Sequence, residues 1–165
     1  MQSNKQIFFR PERCLLCLSC VLACQMKTAG IPDVGRIEKE KHPGKPLKVS
    51  FSHGTPWVWK CQQCRTAPCV EACFSGGLRL DPELNSVVQD REACVGCGSC
   101  VLACPVEGVE LHPGEHRADK CDLCRDEEVP ACVLACQSRA LVYVEEERFA
   151  AAKRKRFVKK LIGAK

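Results

Sequence analysis

Sixteen cysteines fall in this chain as four groups of four, and their spacing constrains the fold more than any other feature of the sequence. The third group, Cys94, Cys97, Cys100 and Cys104, reads C-x2-C-x2-C-x3-C and is followed by Pro105. The first, Cys14, Cys17, Cys20 and Cys24, has the same steps without the proline. The second, Cys61, Cys64, Cys69 and Cys73, reads C-x2-C-x4-C-x3-C, and the fourth, Cys121, Cys124, Cys132 and Cys136, reads C-x2-C-x7-C-x3-C. Shared opening and closing steps mark one supersecondary unit repeated four times, with loop insertions inside two copies. Three thiols on one short loop must wrap around something small, and Gly96, Gly98 and Ser99 leave the backbone room to approach it.

The run from Cys94 to Pro105 is the ligand pattern of a [4Fe–4S] cube, in which three thiolates grip one cluster and the fourth reaches a different one. Such a run requires a partner run elsewhere, and this chain has three more. Two other uses of cysteine compete with this one. A disulfide scaffold suits short secreted chains, but these cysteines open with C-x-x-C steps, as metal sites do. The second and fourth groups alone would pass for zinc ribbons. Zinc favours two separated knuckles, however, whereas C-x2-C-x2-C sets three thiolates on one loop and occurs twice here. His42, His53, His112 and His116 lie in loops with no regular spacing to the cysteines, and none is assigned as a ligand.

The start of the chain offers only Ile7, Phe8 and Phe9 as an apolar run, short of a signal peptide. Nowhere do apolar residues approach the ~20 needed to span a bilayer. No transmembrane segment and a cytoplasmic location are the expectations. Six Phe, two Trp and one Tyr give little for a core of 165 residues, so metal ligation must supply much of the folding free energy. The formal charge of +5 counts every thiol as neutral. Four oxidised cubes with their thiolates, at about −2 each, would bring the sum to roughly −3. The basic balance is then a counterweight for cluster charge and a poor argument for nucleic acid.

Between the groups the pattern is one of short elements. Residues 7–10, 57–60, 78–80, 86–89, 109–111 and 140–144 read as strands, with Asp81–Asn85 as a turn. Val21–Met26 reads as a short helix. Most of 25–60, with Pro32, Pro43, Pro46 and Pro56, reads as an insertion or long loop. Trp57 and Trp59 read as strand-face packing, with gating of an interface as the alternative. Glu145 to Gly163 reads as a basic amphipathic helix with Phe149, Phe157, Val158, Leu161 and Ile162 apolar. Its acidic start and basic end suit the helix dipole. It either packs on its own protein, docks on an acidic partner or lies on a membrane surface.

In these four groups and their order, residues 5–144 resemble the four-cluster electron-transfer subunits of molybdenum oxidoreductases, formate dehydrogenases, hydrogenase complexes and carbon monoxide dehydrogenases. The resemblance implies an α+β fold: two ferredoxin-like dicluster units of short strands and short helices, one inserted in the other, plus a C-terminal helix. The inner unit would be 57–112, the outer one 5–30 with 113–144, with 31–56 as an insertion and 145–165 as the helix. It also implies the ligand sets. One cluster would use Cys61, Cys64, Cys69 and Cys104, and its neighbour Cys94, Cys97, Cys100 and Cys73. A third would use Cys14, Cys17, Cys20 and Cys136, and the fourth Cys121, Cys124, Cys132 and Cys24. The chain departs from the family after Cys24, Cys73 and Cys136, where Gln25, Phe74 and Gln137 replace the usual proline. The segment Cys69-Val-Glu-Ala-Cys-Phe-Ser-Gly-Gly-Leu is most similar to the subunits serving carbon monoxide dehydrogenase.

Nothing in the sequence reads as a substrate-binding catalytic site. There is no Gly-rich phosphate loop opening a helix after a strand and no nucleophile paired with a base. The expected role is movement of single electrons. The flow would run between a catalytic subunit, with carbon monoxide dehydrogenase favoured, and a flavin-dependent NAD(P) oxidoreductase or a hydrogenase. A formate dehydrogenase or hydrogenase complex, or a free soluble polyferredoxin, is the alternative.

Overall fold

Short apolar segments between cysteine loops cannot build a large sheet, and among the described residues none forms. The computed structural model of the chain describes residues 5–39, 47–83, 86–112 and 114–163. Its eight strands make four separate antiparallel pairs. β1 (Lys5–Phe9) pairs with β8 (Leu141–Glu145), setting Ile7 opposite Tyr143 and Phe9 opposite Leu141. β2 (Leu47–Ser52) pairs with β3 (Thr55–Lys60), β4 (Leu78–Asp81) with β5 (Ser86–Gln89), and β6 (Val109–His112) with β7 (Arg117–Lys120). Five helices complete the α+β architecture: α1 (Ser19–Ala29), α2 (Pro68–Glu71), α3 (Ser99–Ala103), α4 (Ala131–Leu134) and α5 (Glu146–Leu161). Three of these are a single turn, each carrying the third cysteine of its group.

The interval 25–60 is more ordered than a loop. α1 runs on to Ala29 and stops at Gly30, whose φ of 66° closes the helix. A 3-10 turn covers Val34–Lys39, and the β2–β3 hairpin follows. Leu47, Val49 and Phe51 alternate with Lys48, Ser50 and Ser52, and His53-Gly54 turns the chain with both φ angles positive, the conformation that a two-residue hairpin needs. Pro43 and Pro46 lie outside the described residues, as do Leu84 and Asn85 at the tip of the β4–β5 turn. The strand β7 gives no sequence signal. It is charged at three of its four positions, yet Ala118, Asp119 and Lys120 are all buried.

Two apolar clusters hold these elements. One joins Ile7, Leu47, Leu123 and Leu141 with Cys24, Cys61, Cys121 and Cys132. The other joins Ala67, Leu78, Val87, Val109 and Ala118 with Cys69 and Cys100. Cysteine is thus a large part of both cores. Ion pairs stitch these elements together; Lys27 of α1 bonds Asp126 and Glu127, tying the first cysteine helix to the fourth cysteine loop, and Arg91 bonds the buried Asp119 of β7. α5 carries no buried residue and is anchored at its start, where Phe149 stacks on Phe8 with centroids 4.1 Å apart.

Gly96 shows how tightly a cysteine loop is packed. Its φ is +69°, and a Cβ there would lie 1.8 Å from the His116 carbonyl oxygen. Gly96→Ala is therefore expected to cost about 2–4 kcal/mol of stability, read as a lower thermal midpoint. Gly114→Ala, at ordinary van der Waals distance from His112, should leave the midpoint nearly unchanged.

Candidate metal centres

Each cysteine loop ends in a helix start, so its first sulfurs sit on irregular backbone and its third on a helical turn. The consequence is four clusters of sulfur. Cys14, Cys17 and Cys20 line one cavity together with Cys136, under Phe9, Val49, Val58 and Leu141. Cys94, Cys97 and Cys100 line a second with Cys73. Cys121, Cys124 and Cys132 line a third, wider one with Cys24. The remaining four are neighbours by their mutual influence: Cys61 and Cys104 both push up the thiols of Cys64 and Cys69, after burial itself. In every case three sulfurs come from one loop and the last from another.

The crossing has a packing cause. Four residues beyond Cys73 and Cys104 stand Gly77 and Gly108, and each lies against the first cysteine of the opposite loop. A Cβ on Gly108 would meet Cys61 Cα at 2.7 Å, and one on Gly77 would meet Cys94 Cα at 3.1 Å. Ala140, at the same offset from Cys136, is buried, and its carbonyl accepts the Arg10 N–H at 2.8 Å. A small residue at a fixed offset from each of these cysteines was the readable sign of these approaches.

The donor set fits iron–sulfur clusters. All sixteen cysteines are free. Among the described residues no three His, Cys, Asp or Glu side chains are set for one metal ion; the sulfurs surround voids instead. Backbone donors already aim at sulfur: Gly108 N–H reaches Cys104 Sγ at 3.1 Å, Leu141 N–H reaches Cys136 Sγ at 3.3 Å, and Ala118 N–H reaches Cys94 Sγ at 3.5 Å. Such bonds are among the levers that set cluster potentials.

The electrostatics of the sulfurs point the same way. Burial pushes the thiols of Cys20, Cys69 and Cys121 up to about 11 and that of Cys132 to about 12, and Cys24 higher still. For Cys20, Cys24, Cys69 and Cys132 neighbouring sulfurs add to the effect. Without a metal these sites hold neutral thiols at neutral pH, and ligation is what deprotonates them. Cys17 and Cys97 differ. Both are exposed, and hydrogen bonding with Ser19 and Ser99 holds their thiols below the ordinary value.

Two lysines that sequence inspection passes over sit inside this sulfur-rich interior. Lys60 and Lys120 immediately precede Cys61 and Cys121, and both are buried. Lys60 Nζ donates to the Cys61 carbonyl at 3.2 Å, while Lys120 Nζ donates to the carbonyls of Val87 and Cys121 at 2.7 and 2.8 Å. Burial pulls the Lys60 ammonium below its usual value, and the sulfurs of Cys121 and Cys61 oppose that pull. Among the described residues neither ammonium pairs with a carboxylate; a buried ammonium needs compensating anions, and ligating thiolates would be those anions. Gln63 completes the junction, donating to Cys121 O at 2.7 Å and accepting from Val87 N–H at 2.9 Å.

The other candidates have local roles. His112 Nδ1 accepts from the Gly114 and Glu115 N–H groups, and His53 Nδ1 pairs with the Ser52 hydroxyl. His42 lies outside the described residues. Trp59 Nε1 donates across the hairpin to Ser50 Oγ at 2.8 Å. Among the described residues no helix is long and apolar enough to cross a membrane.

Comparison with known proteins agrees with this chemistry. The 4Fe-4S dicluster domain family matches residues 55–146. The thiosulfate reductase electron transfer subunit PhsB of Salmonella typhi is 32% identical over 148 residues, covering 86% of this chain and 76% of its own length. The electron transport protein HydN of Escherichia coli is 31% identical over 177 residues, covering 93% of this chain and 97% of its own length. The polyferredoxin-like subunit of an aliphatic sulfonate oxidoreductase from Pyrococcus furiosus is 34% identical over 139 residues, covering 82% of this chain and 73% of its own length. A sulfur-lined interior of the kind described above, matched over more than half its length by that family, places the chain among the 4Fe-4S dicluster iron–sulfur electron-transfer proteins.

Proposed function

We propose that this protein relays single electrons through four [4Fe–4S] clusters between a catalytic redox subunit and an acceptor. The ligand sets are Cys61, Cys64, Cys69 with Cys104; Cys94, Cys97, Cys100 with Cys73; Cys14, Cys17, Cys20 with Cys136; and Cys121, Cys124, Cys132 with Cys24. The observation that carries the proposal is the crossing itself, three sulfurs of each set on one loop and the fourth on another. When bound, each cluster supplies a one-electron centre whose potential is set by charge, hydrogen bonding and burial. The chain's own part is to hold those centres close together. It aims the N–H groups of Gly108, Leu141 and Ala118 at sulfur and sets Lys60 and Lys120 against the accumulated negative charge.

In this reading residues 57–112 form an inner dicluster unit, and 5–30 with 113–144 form an outer one. Pairing of β1 with β8 and packing of α1 on α4 support it. The chain has no catalytic site of its own and works in the cytoplasm. Its favoured partner is a carbon monoxide dehydrogenase, on the strength of Phe74-Ser75-Gly76 after Cys73. A formate dehydrogenase or hydrogenase complex is the alternative partner, and a flavin-dependent NAD(P) oxidoreductase or a hydrogenase is the proposed acceptor.

Anaerobic purification tests the proposal. The protein is expected to be brown, with absorbance near ~400 nm bleached by dithionite and about sixteen iron and sixteen acid-labile sulfide per chain. It should also co-purify with a catalytic redox subunit. Colourless protein containing zinc and no sulfide would end the proposal.

A further inference from the structure

Lys60 and Lys120 occupy matching places in the fold. Lys60 ends β3 opposite Leu47, and Lys120 ends β7 opposite Val109. Both partners are buried apolar residues, and residues paired across a hairpin share a face, so each lysine stands on the inward side of its sheet. Each then opens a cysteine loop, and each ammonium turns back to the carbonyl of the cysteine that follows it. Burying two cations costs solvation. The other two loops bury no charge at that place: Arg13 before Cys14 is exposed, and Ala93 stands before Cys94.

The two lysines sit where two sulfur sets meet. The Lys60 ammonium is acted on most by the sulfurs of Cys121 and Cys61, then by those of Cys132 and Cys64, so it faces both sets at once. Lys120 stands on the wall of the Cys121 cavity and also acts on Cys69 of the other set. Gln63 closes the junction. From between Cys61 and Cys64 it reaches the Cys121 carbonyl, and its Oε1 holds the N–H of Val87, whose carbonyl Lys120 grips. The buried carboxylate on that wall, Asp119, is bonded by Arg91 instead.

These two sets are the interior pair of the relay. The Cys121 set adjoins the first set through Cys132 and Cys20, and Cys69 of the Cys61 set shares an apolar core with Cys100 of the third. The Cys14 and Cys94 sets therefore lie at the two ends. Six of the eight interior cysteines are buried, against one of the eight at the ends. A reduced cluster carries one more negative charge than an oxidised one, and burial disfavours that charge. Burial alone would make the interior centres the hardest to reduce and put a barrier in the middle of the path. A fixed cation between them acts in the opposite direction, on both together.

Resting on the four-cluster reading, we propose that Lys60 and Lys120 form a shared cationic bridge that raises the reduction potentials of the Cys61 and Cys121 centres together, levelling the interior of the electron path with its ends. Redox titration of the whole cluster-loaded protein, followed by electron paramagnetic resonance, reads the four potentials. Lys60→Gln with Lys120→Gln removes both charges and keeps a donor, whereas Lys60→Met with Lys120→Met removes them and keeps the length. Either pair is expected to lower two of the four potentials and leave the other two in place. The expected drop is about tenfold in each reduction equilibrium, or ~59 mV for one electron. Signals lost in Cys64→Ala and in Cys124→Ala identify the two that move as the Cys61 and Cys121 centres. Lys60→Gln alone should move both by a smaller amount. Lys60→Arg with Lys120→Arg, which keeps the charge, should stay close to wild type, and Arg13→Gln, at the matching place of the first loop, should move none.

Unchanged potentials in the neutral pairs, or an equal shift of all four, would overturn the proposal. So would a single substitution that moves only one centre. If no neutral variant, single or paired, loads its clusters, the lysines serve assembly instead and the proposal falls as well. A wild type with no reducible cluster signal would sink the four-cluster reading itself, separately from the bridge.

Discussion

Removing iron and sulfide with a chelator under reducing conditions is expected to leave a chain with no cooperative thermal transition. Among the described residues the framework without them is four two-stranded sheets, each marginal alone. Three of the five helices are four or five residues long, below the length at which helices persist unaided. The large side chains buried most completely are Leu47, Val87 and Pro130. Against this stand two buried lysines, which lose their compensating thiolates when the metal leaves, and a set of thiols massed around empty space in the interior. Structural metal sites in small domains contribute roughly 10–16 kcal/mol of apparent binding free energy, comparable to the whole stability of a domain. Far-UV circular dichroism during a thermal scan reads the outcome. A sigmoidal melt in the iron-free chain would show that the apolar contacts suffice alone.

Loss of a single cysteine is expected to act at a distance along the chain. Cys104→Ala should empty or degrade the centre of Cys61, Cys64 and Cys69, and leave the loop that carries Cys104 loaded. The structural ground is that Gly108, whose N–H bonds Cys104 Sγ, lies against Cys61. Iron content should fall by about one quarter, or by less if a three-iron cluster persists. Pairs of substitutions locate the loss. Cys61→Ala combined with Cys104→Ala should cost no more iron than either alone, whereas Cys94→Ala combined with Cys104→Ala should cost about twice as much. The reverse pattern would mean that each loop keeps its own fourth ligand.

How far the chain could be read in advance depended on whether a feature was local. The strands β4, β5, β6 and β8 carry Val and Leu at strand spacing, and each starts from the sequence signal that its structure keeps. β2 carries the same alternation at Leu47, Val49 and Phe51, but the prolines and charges before it hide the strand. β7 is different: Arg117-Ala118-Asp119-Lys120 has no apolar period, and only its pairing with β6 and the burial of Lys120 explain it. The same division holds at the sulfur sites. Cysteine spacing announces the loops, because a small polynuclear centre dictates that spacing. Lys60, Lys120 and Gln63 announce nothing, since a lysine before a cysteine reads as a solvated charge until the opposite loop covers it.

The strand pair joining Lys5–Phe9 to Leu141–Glu145 has a consequence for biogenesis. On the ribosome, the strand Lys5–Phe9 emerges first and must wait for the whole of 10–140 to be translated before its mate appears. The hairpins β4–β5 and β6–β7 lie wholly between them and can form earlier. Under the proposed ligand sets, loading of cofactor into Cys14, Cys17 and Cys20 would have to wait for Cys136, which lies beside them and is synthesised last of all sixteen.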